Sequence, residues 1–203
     1  NNVSASCGVH PLHQDEACTY EELLTMAKSE NIVAIGETGL DYFYSADTKD
    51  VQLTSFVDHI KVANELNKPL IVHTRDARHD TISLLKEHKA PHTRGVLHCF
   101  TEDWEMAQAA IELGFYISIS GIVTFKSAQA LQEVVKKIPL ESLLIETDSP
   151  WLAPVPYRGK QNQPGYVREV GEFIAQLKGI SVDELAKATT HNFYTLFNIP
   201  RTA

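Results

Sequence analysis

Short apolar runs recur along the chain, each followed by a polar residue or a turn and then by a longer stretch whose apolar residues fall three and four apart. The runs at residues 32–35, 69–72, 95–97, 116–119 and 143–145, with a strand-like opening at 3–9, read as six strands. Between them the spacing is helical. In residues 52–66, Leu53, Phe56, Val57, Ile60 and Ala63 share one helix face. Similar stripes pass through Leu23, Leu24 and Ala27, through Ile82 and Leu85, and through Met106, Ala107, Ala110 and Ile111, where Gly114 is the expected terminator. Thr19 with Glu22 and Ser181 with Glu184 have the spacing of a capping box. Ser127 is the expected cap of a helix through Leu131, Val134, Val135 and Ile138 that Pro139 ends. A long polar loop with Pro154, Pro156, Gly159, Pro164 and Gly165 then leads to a helix through Val167, Val170, Phe173, Ile174 and Leu177. Beyond it lie a helix through Leu185 and Ala188 and a closing segment with Phe193, Leu196 and Phe197.

Strand followed by helix, repeated without a linker, predicts an α/β fold with a parallel sheet, because parallel neighbours need crossovers and right-handed crossovers stack helices outside the strands. A doubly wound open sheet and a TIM-type (β/α) barrel both satisfy that order. The barrel is the expectation, because polar residues capable of chemistry end at least five of the strands, whereas an open sheet gathers its ligand at one switch point. The whole stretch 1–203 is expected to be a single barrel domain. A barrel closes with eight strands, so its first two strand–helix units are expected upstream of Asn1.

Composition adds limits. The chain has 203 residues, 43% of them hydrophobic and 22% charged, as in ordinary globular domains. No apolar run approaches the roughly 18 residues a membrane span needs, and the expectation is a soluble, cytoplasmic protein with no membrane partner. Cys7, Cys18 and Cys99 have no Cys-x-x-Cys spacing, so neither a disulfide framework nor a thiolate zinc site is indicated. The net charge of −8 argues against broad electrostatic capture of nucleic acid, but not against a local cationic patch or a bound metal that holds a phosphate.

Glu37, His73, His98 and Asp148 follow apolar strands and are separated from one another by helical segments. Imidazole suits zinc, manganese or iron, and a carboxylate bridges metals or helps activate water, so the four together read as a divalent-metal centre. Taken singly, each is equally a satisfied polar residue at a strand end. His10 closes the first strand ahead of Pro11. Arg75, two residues after His73, and Arg158, in a loop suited to lie above the expected barrel mouth, carry the guanidinium fork that suits phosphate. Trp151 and Tyr157 are candidates for stacking on a nucleobase. His13, His59, His79, His88, His92 and His191 receive no functional role.

The stretches Gly8-Val9-His10-Pro11, Gly36-Glu37-Thr38-Gly39-Leu40-Asp41-Tyr42, His73-Thr74-Arg75-Asp76-Ala77, Leu97-His98-Cys99-Phe100-Thr101 and Glu146-Thr147-Asp148-Ser149-Pro150, in this order, resemble the TatD-related hydrolases, a deoxyribonuclease family within the metal-dependent amidohydrolase-like barrels. The resemblance implies a phosphodiesterase that uses two divalent ions (Mg2+, Zn2+ or Mn2+) as a 3′-5′ exonuclease on DNA 3′ ends. By motif position, Glu37 would bridge the metals, His73 and His98 would bind one of them, and Asp148 would bind metal and accept the proton of the attacking water. Glu37 and Asp148 are thus the implied catalytic pair. His10, Arg75 and Arg158 would contact substrate. The family's first strand carries a His-x-His pair of ligands that this sequence lacks, so residues 1–203 by themselves are expected to bind metal weakly. An amidohydrolase-like enzyme on another ester or amide, and a binding module that has lost its chemistry, are the alternatives.

Overall fold

Six parallel strands among the described residues alternate with helices, the succession of a TIM-type (β/α) barrel. The computed structural model describes residues 3–16 and 18–200. They form two compact units, one holding residues through Leu97 with Glu112–Phe115 and the end of the last helix, the other holding His98–Ile111 and Tyr116–Thr195. No described helix is long and apolar enough to cross a membrane.

In the first unit, β1 (Ala5–Cys7), β2 (Ile32–Asp41), β3 (Leu70–Arg75) and β4 (Gly95–Leu97) pair in sequence order. Helices α1 (Tyr20–Ala27), α2 (Lys49–Leu66) and α3 (Arg78–His88) connect them. The apolar stripe of α2 behaves as its spacing predicts, with Phe56, Ile60 and Ala63 fully buried and α2 lying on β2. Each large side chain so buried contributes about 1.5–3 kcal/mol. The capping box on α1 is present: Glu22 N–H donates to Thr19 Oγ1, and Thr19 N–H donates to Glu22 Oε2.

The second unit holds most of α4 (Trp104–Glu112) and of β5 (Phe115–Ile119), then α5 (Gln129–Lys137), β6 (Leu143–Ile145), α6 (Val167–Lys178) and most of α7 (Val182–Phe197). Within it β5 and β6 pair in parallel, Ile117 opposite Leu143 and Ile119 opposite Ile145. Glu184 N–H donates to Ser181 Oγ at 3.1 Å, as the cap spacing requires.

Several boundaries differ from the pattern-based expectation. The first strand is only three residues long: its pairing ends at Cys7 opposite Ile35, and although Gly8 still lies against Gly36, Val9 N–H donates to His59 Nε2 on α2. The second strand runs to Asp41 rather than stopping at Ile35, with Thr38 and Leu40 buried in the continuing extension. Gly39 permits this: it has φ +135°, and a Cβ there would stand 2.0 Å from the His73 carbonyl oxygen. Only a residue without a side chain lets β2 and β3 approach so closely. The α5 helix has Ala128, not Ser127, at its cap, with no side-chain bond to it. The last helix and the closing segment are one continuous α7, since nothing between Ala188 and Phe193 breaks a helix.

His59, given no role from sequence, is 2% exposed and holds the segment leading to His10. Its Nδ1–H donates to Ser55 O at 2.7 Å, which leaves Nε2 as the acceptor for Val9 N–H at 2.9 Å. Burial holds the ring below its ordinary pKa of 6.5. A folded value below the unfolded one means that the unfolded chain binds the extra proton. The stability His59 contributes is therefore complete above pH 6.5 and is lost as pH falls through the depressed folded value. Urea midpoints measured across that range should fall with pH in the parent and fall less steeply in His59→Gln. Parallel curves would remove His59 from the acid response.

Candidate metal centre

In the first unit the extended course of β2 sets the geometry. The β2–β3 register passes from Ile35 opposite Leu70 to Thr38 opposite Val72, so three steps on β2 match two on β3 and Gly36-Glu37 forms a bulge. A bulge re-aims the side chain it carries. Glu37 Oε1 lies 3.1 Å from His10 Nε2 and 3.1 Å from His73 Nδ1. The ligand atoms of these three residues lie within 4.8 Å of one another. His10, read from sequence as a substrate contact, thus stands among the candidate metal donors. Glu37 lies in mid-strand rather than at a strand end.

Asp41, left without a role by the sequence reading, orders this group. Its carboxylate is 1% exposed, and Oδ2 lies 2.9 Å from His73 Nε2. A neutral imidazole has one N–H and can give it to only one of the two carboxylates that flank His73. With that N–H on Asp41, the Nδ1 lone pair faces Glu37 Oε1, an arrangement that a cation between them reconciles. The residues therefore fit a divalent metal: His73 Nδ1 and Glu37 supply a nitrogen and an oxygen donor, His10 Nε2 supplies a second nitrogen once its proton moves to the Nδ1 that here accepts Leu12 N–H, and Asp41 fixes the orientation of the His73 imidazole from behind. Once β2 is known to be extended through Asp41, period-two alternation puts Glu37, Gly39 and Asp41 on one face. That was the available signal.

Asp41→Asn tests this orientation. Asn Oδ1 still accepts from the turn that follows, but its NH2 donates toward His73 Nε2 and favours the tautomer whose Nδ1 bears a proton. Metal affinity measured by titration should fall about 10- to 100-fold. An unchanged affinity would show that Asp41 does not orient His73.

The second unit has its own group, His98, Glu146 and Asp148, whose ligand atoms also lie within 4.8 Å of one another. His98 follows β4 directly, and its Nδ1 lies 3.0 Å from Glu146 Oε1, which also accepts Cys99 N–H at 3.0 Å. Glu146 was missed as a ligand candidate although it immediately follows β6. Asp148 lies three residues past β6, in the left-handed region with φ +58°. Its loop is tied by Asn162, 3% exposed, whose Nδ2 donates to Thr147 O at 2.7 Å and Trp151 O at 2.6 Å. Asn162 N–H donates to Pro150 O at 3.0 Å. Nothing in the local sequence marks Asn162, because its partners lie 11 and 15 residues away.

Arg75 is on the same face of β3 as His73, and its guanidinium lies 4.2 Å from the Phe43 ring centroid and 4.7 Å from that of Tyr44. It has no carboxylate partner among the described residues. Arg158 is exposed, with its guanidinium 4.3 Å from the Phe125 ring, beside a cavity of about 460 Å³ that Trp151 and Lys160 also line. Tyr157, a stacking candidate from sequence, is already stacked on Tyr166 at 3.8 Å.

Comparison with known proteins agrees with these features. The profile of a family described as "TatD related DNase" matches residues 1–198. An uncharacterized metal-dependent hydrolase, YcfH, of Escherichia coli (strain K12) is 57% identical over 199 residues, spanning 98% of this chain and 75% of that protein. A 3′-5′ ssDNA/RNA exonuclease, TatD, of Escherichia fergusonii is 38% identical over 202 residues, 96% of this chain and 78% of its own length. The crystal structure of YJJV, a TatD homologue from E. coli K12, superposes with a TM-score of 0.90 at 31% identity, covering 97% of this chain and 77% of that one.

Proposed function

The chain belongs to the TatD-related DNase family and is a metal-dependent hydrolase, and from that premise we propose that it hydrolyses phosphodiester bonds in nucleic acid, removing nucleotides from the 3′ end. The observation that carries the choice of a phosphodiester is Arg75. A cation on the face of β3 that carries His73, without a carboxylate partner among the described residues, suits an anionic substrate better than a neutral amide, which supports this reading. The relative named as a 3′-5′ exonuclease supports the direction of digestion.

His10, Glu37 and His73 would hold a divalent cation in one unit, and His98, Glu146 and Asp148 would hold one in the other. A divalent cation bound in this way polarises the ester and lowers the pKa of water. The chain's residues do the rest. Asp148 accepts the proton of the attacking water on a carboxylate oxygen, from a loop that Asn162 holds in place. Asp41 keeps the His73 N–H on Nε2, and the edges of the Arg75 and Arg158 guanidinium groups bind phosphate oxygens.

A 5′-labelled single-stranded oligonucleotide incubated with Mg2+, Mn2+ or Zn2+ should shorten from its 3′ end, and EDTA should stop the shortening. Arg75→Ala should raise KM more than it lowers kcat. No shortening with any of these metals, alongside cleavage of a neutral carbonyl ester, would overturn the reading in favour of an amidohydrolase.

A further inference from the structure

We propose that Phe43 and Tyr44 form a stacking platform for one unpaired base of the substrate strand, held in fixed register to the His10–Glu37–His73 group by the Asp41 carboxylate; this rests on the nuclease reading above. The two rings are 56% and 62% exposed, and they meet edge to face with centroids 4.7 Å apart. Two neighbouring aromatic side chains on a mobile turn would fold back onto apolar surface. Here the backbone holds them out. Asp41 Oδ1 accepts Phe43 N–H at 3.0 Å and Tyr44 N–H at 2.8 Å, while Oδ2 of the same carboxylate faces His73 Nε2 at 2.9 Å. Gln52, fully buried on α2, closes the turn from below: its Oε1 accepts Asp41 N–H, and its Nε2 donates to Asp41 O, Ser45 O and Thr48 Oγ1. One buried carboxylate thus positions both a candidate metal-binding imidazole and an exposed aromatic pair.

The cation beside the rings identifies the occupant. Lys49, at the start of α2, is committed to Asp80 at 2.8 Å, and Asp80 also accepts the Tyr42 hydroxyl. Arg75 lies over the Phe43 and Tyr44 rings and has no carboxylate partner among the described residues, so its N–H edges remain for an added anion. An exposed π-face beside a cation matches a single nucleotide unit, which offers a flat base and a phosphate together. A base paired and stacked within a duplex cannot present that face.

The test measures binding of a 5′-fluorescein oligothymidylate with phosphorothioate linkages at its 3′ end, which slow cleavage, in the presence of the divalent metal. The double variant Phe43→Ala/Tyr44→Ala should raise Kd about 5- to 100-fold, the loss of one stacked base. Phe43→Trp/Tyr44→Phe should stay within about twofold of the parent, since a π-face is retained. Replacing thymidines one at a time by abasic units supplies a readout that a merely structural role would not move. At one position the abasic unit should weaken the parent as much as the double Ala variant does on the intact strand, and should weaken that variant no further. Double-variant binding equal to the parent's, or abasic losses that simply add at every position, would overturn the platform. If the parent also hydrolyses unmodified oligonucleotide, either result leaves the nuclease reading standing. A parent that neither binds nor hydrolyses the strand overturns both.

Discussion

Replacing Asp148 with Asn is expected to lower turnover on an oligonucleotide by about 10²- to 10⁴-fold, the usual worth of a positioned general base, with a smaller change in KM. The substitution is nearly isosteric, and the loop keeps its shape because the bonds that hold it come from Asn162 to the backbone of Thr147, Pro150 and Trp151. The amide still offers one oxygen beside His98 and Glu146, but it does not take up the proton of an attacking water at neutral pH. Steady-state kinetics separate the two effects. A turnover equal to the parent's with only a raised KM would move Asp148 from proton acceptor to substrate contact.

Glu37→Gln is expected to cost metal affinity first and activity as a consequence. Glu37 Oε1 is the shared neighbour of two imidazoles, and the negative charge lets a cation sit among three donors without leaving like partial charges opposed. In the metal-free protein His10 Nδ1 accepts Leu12 N–H, which leaves the proton on Nε2, and Gln retains an oxygen to accept it, so the urea midpoint without metal should hold. Metal affinity should fall at least about 100-fold, the upper end of what loss of an outer-shell partner alone costs. Equal metal content after dialysis in parent and variant would show that Glu37 is not a ligand.

The alternation of strand and helix was legible because each strand here is a short, nearly continuous apolar run, the signature of strands buried on both faces. His98 could be placed just beyond β4 because an apolar run ends there, and a strand end is a local property. The same rule misplaced the end of β2. The polar and glycine residues of Gly36-Glu37-Thr38-Gly39 look like a loop, yet the segment stays extended because β3 lies close enough to accept it and glycine allows the approach. With the strand cut short, the alternation linking Glu37 to Asp41 was hidden, and the outer partner of His73 with it.

The sequence by itself determined the α/β succession, the family, and the residue types able to hold a metal, since these depend on local periodicity and on motifs contiguous in the chain. Only the tertiary structure decided which residues meet. It placed His10 with Glu37 and His73, and Glu146 with His98 and Asp148. It also gave Asp41, Asn162 and the Phe43–Tyr44 pair their positions. The physical reason is that a hydrogen bond such as that from Asn162 Nδ2 to Thr147 O, or the Asp41–His73 contact across 32 residues, exists only after β-pairing and loop closure have brought the partners to within 3 Å. Local spacing encodes no distance of that kind.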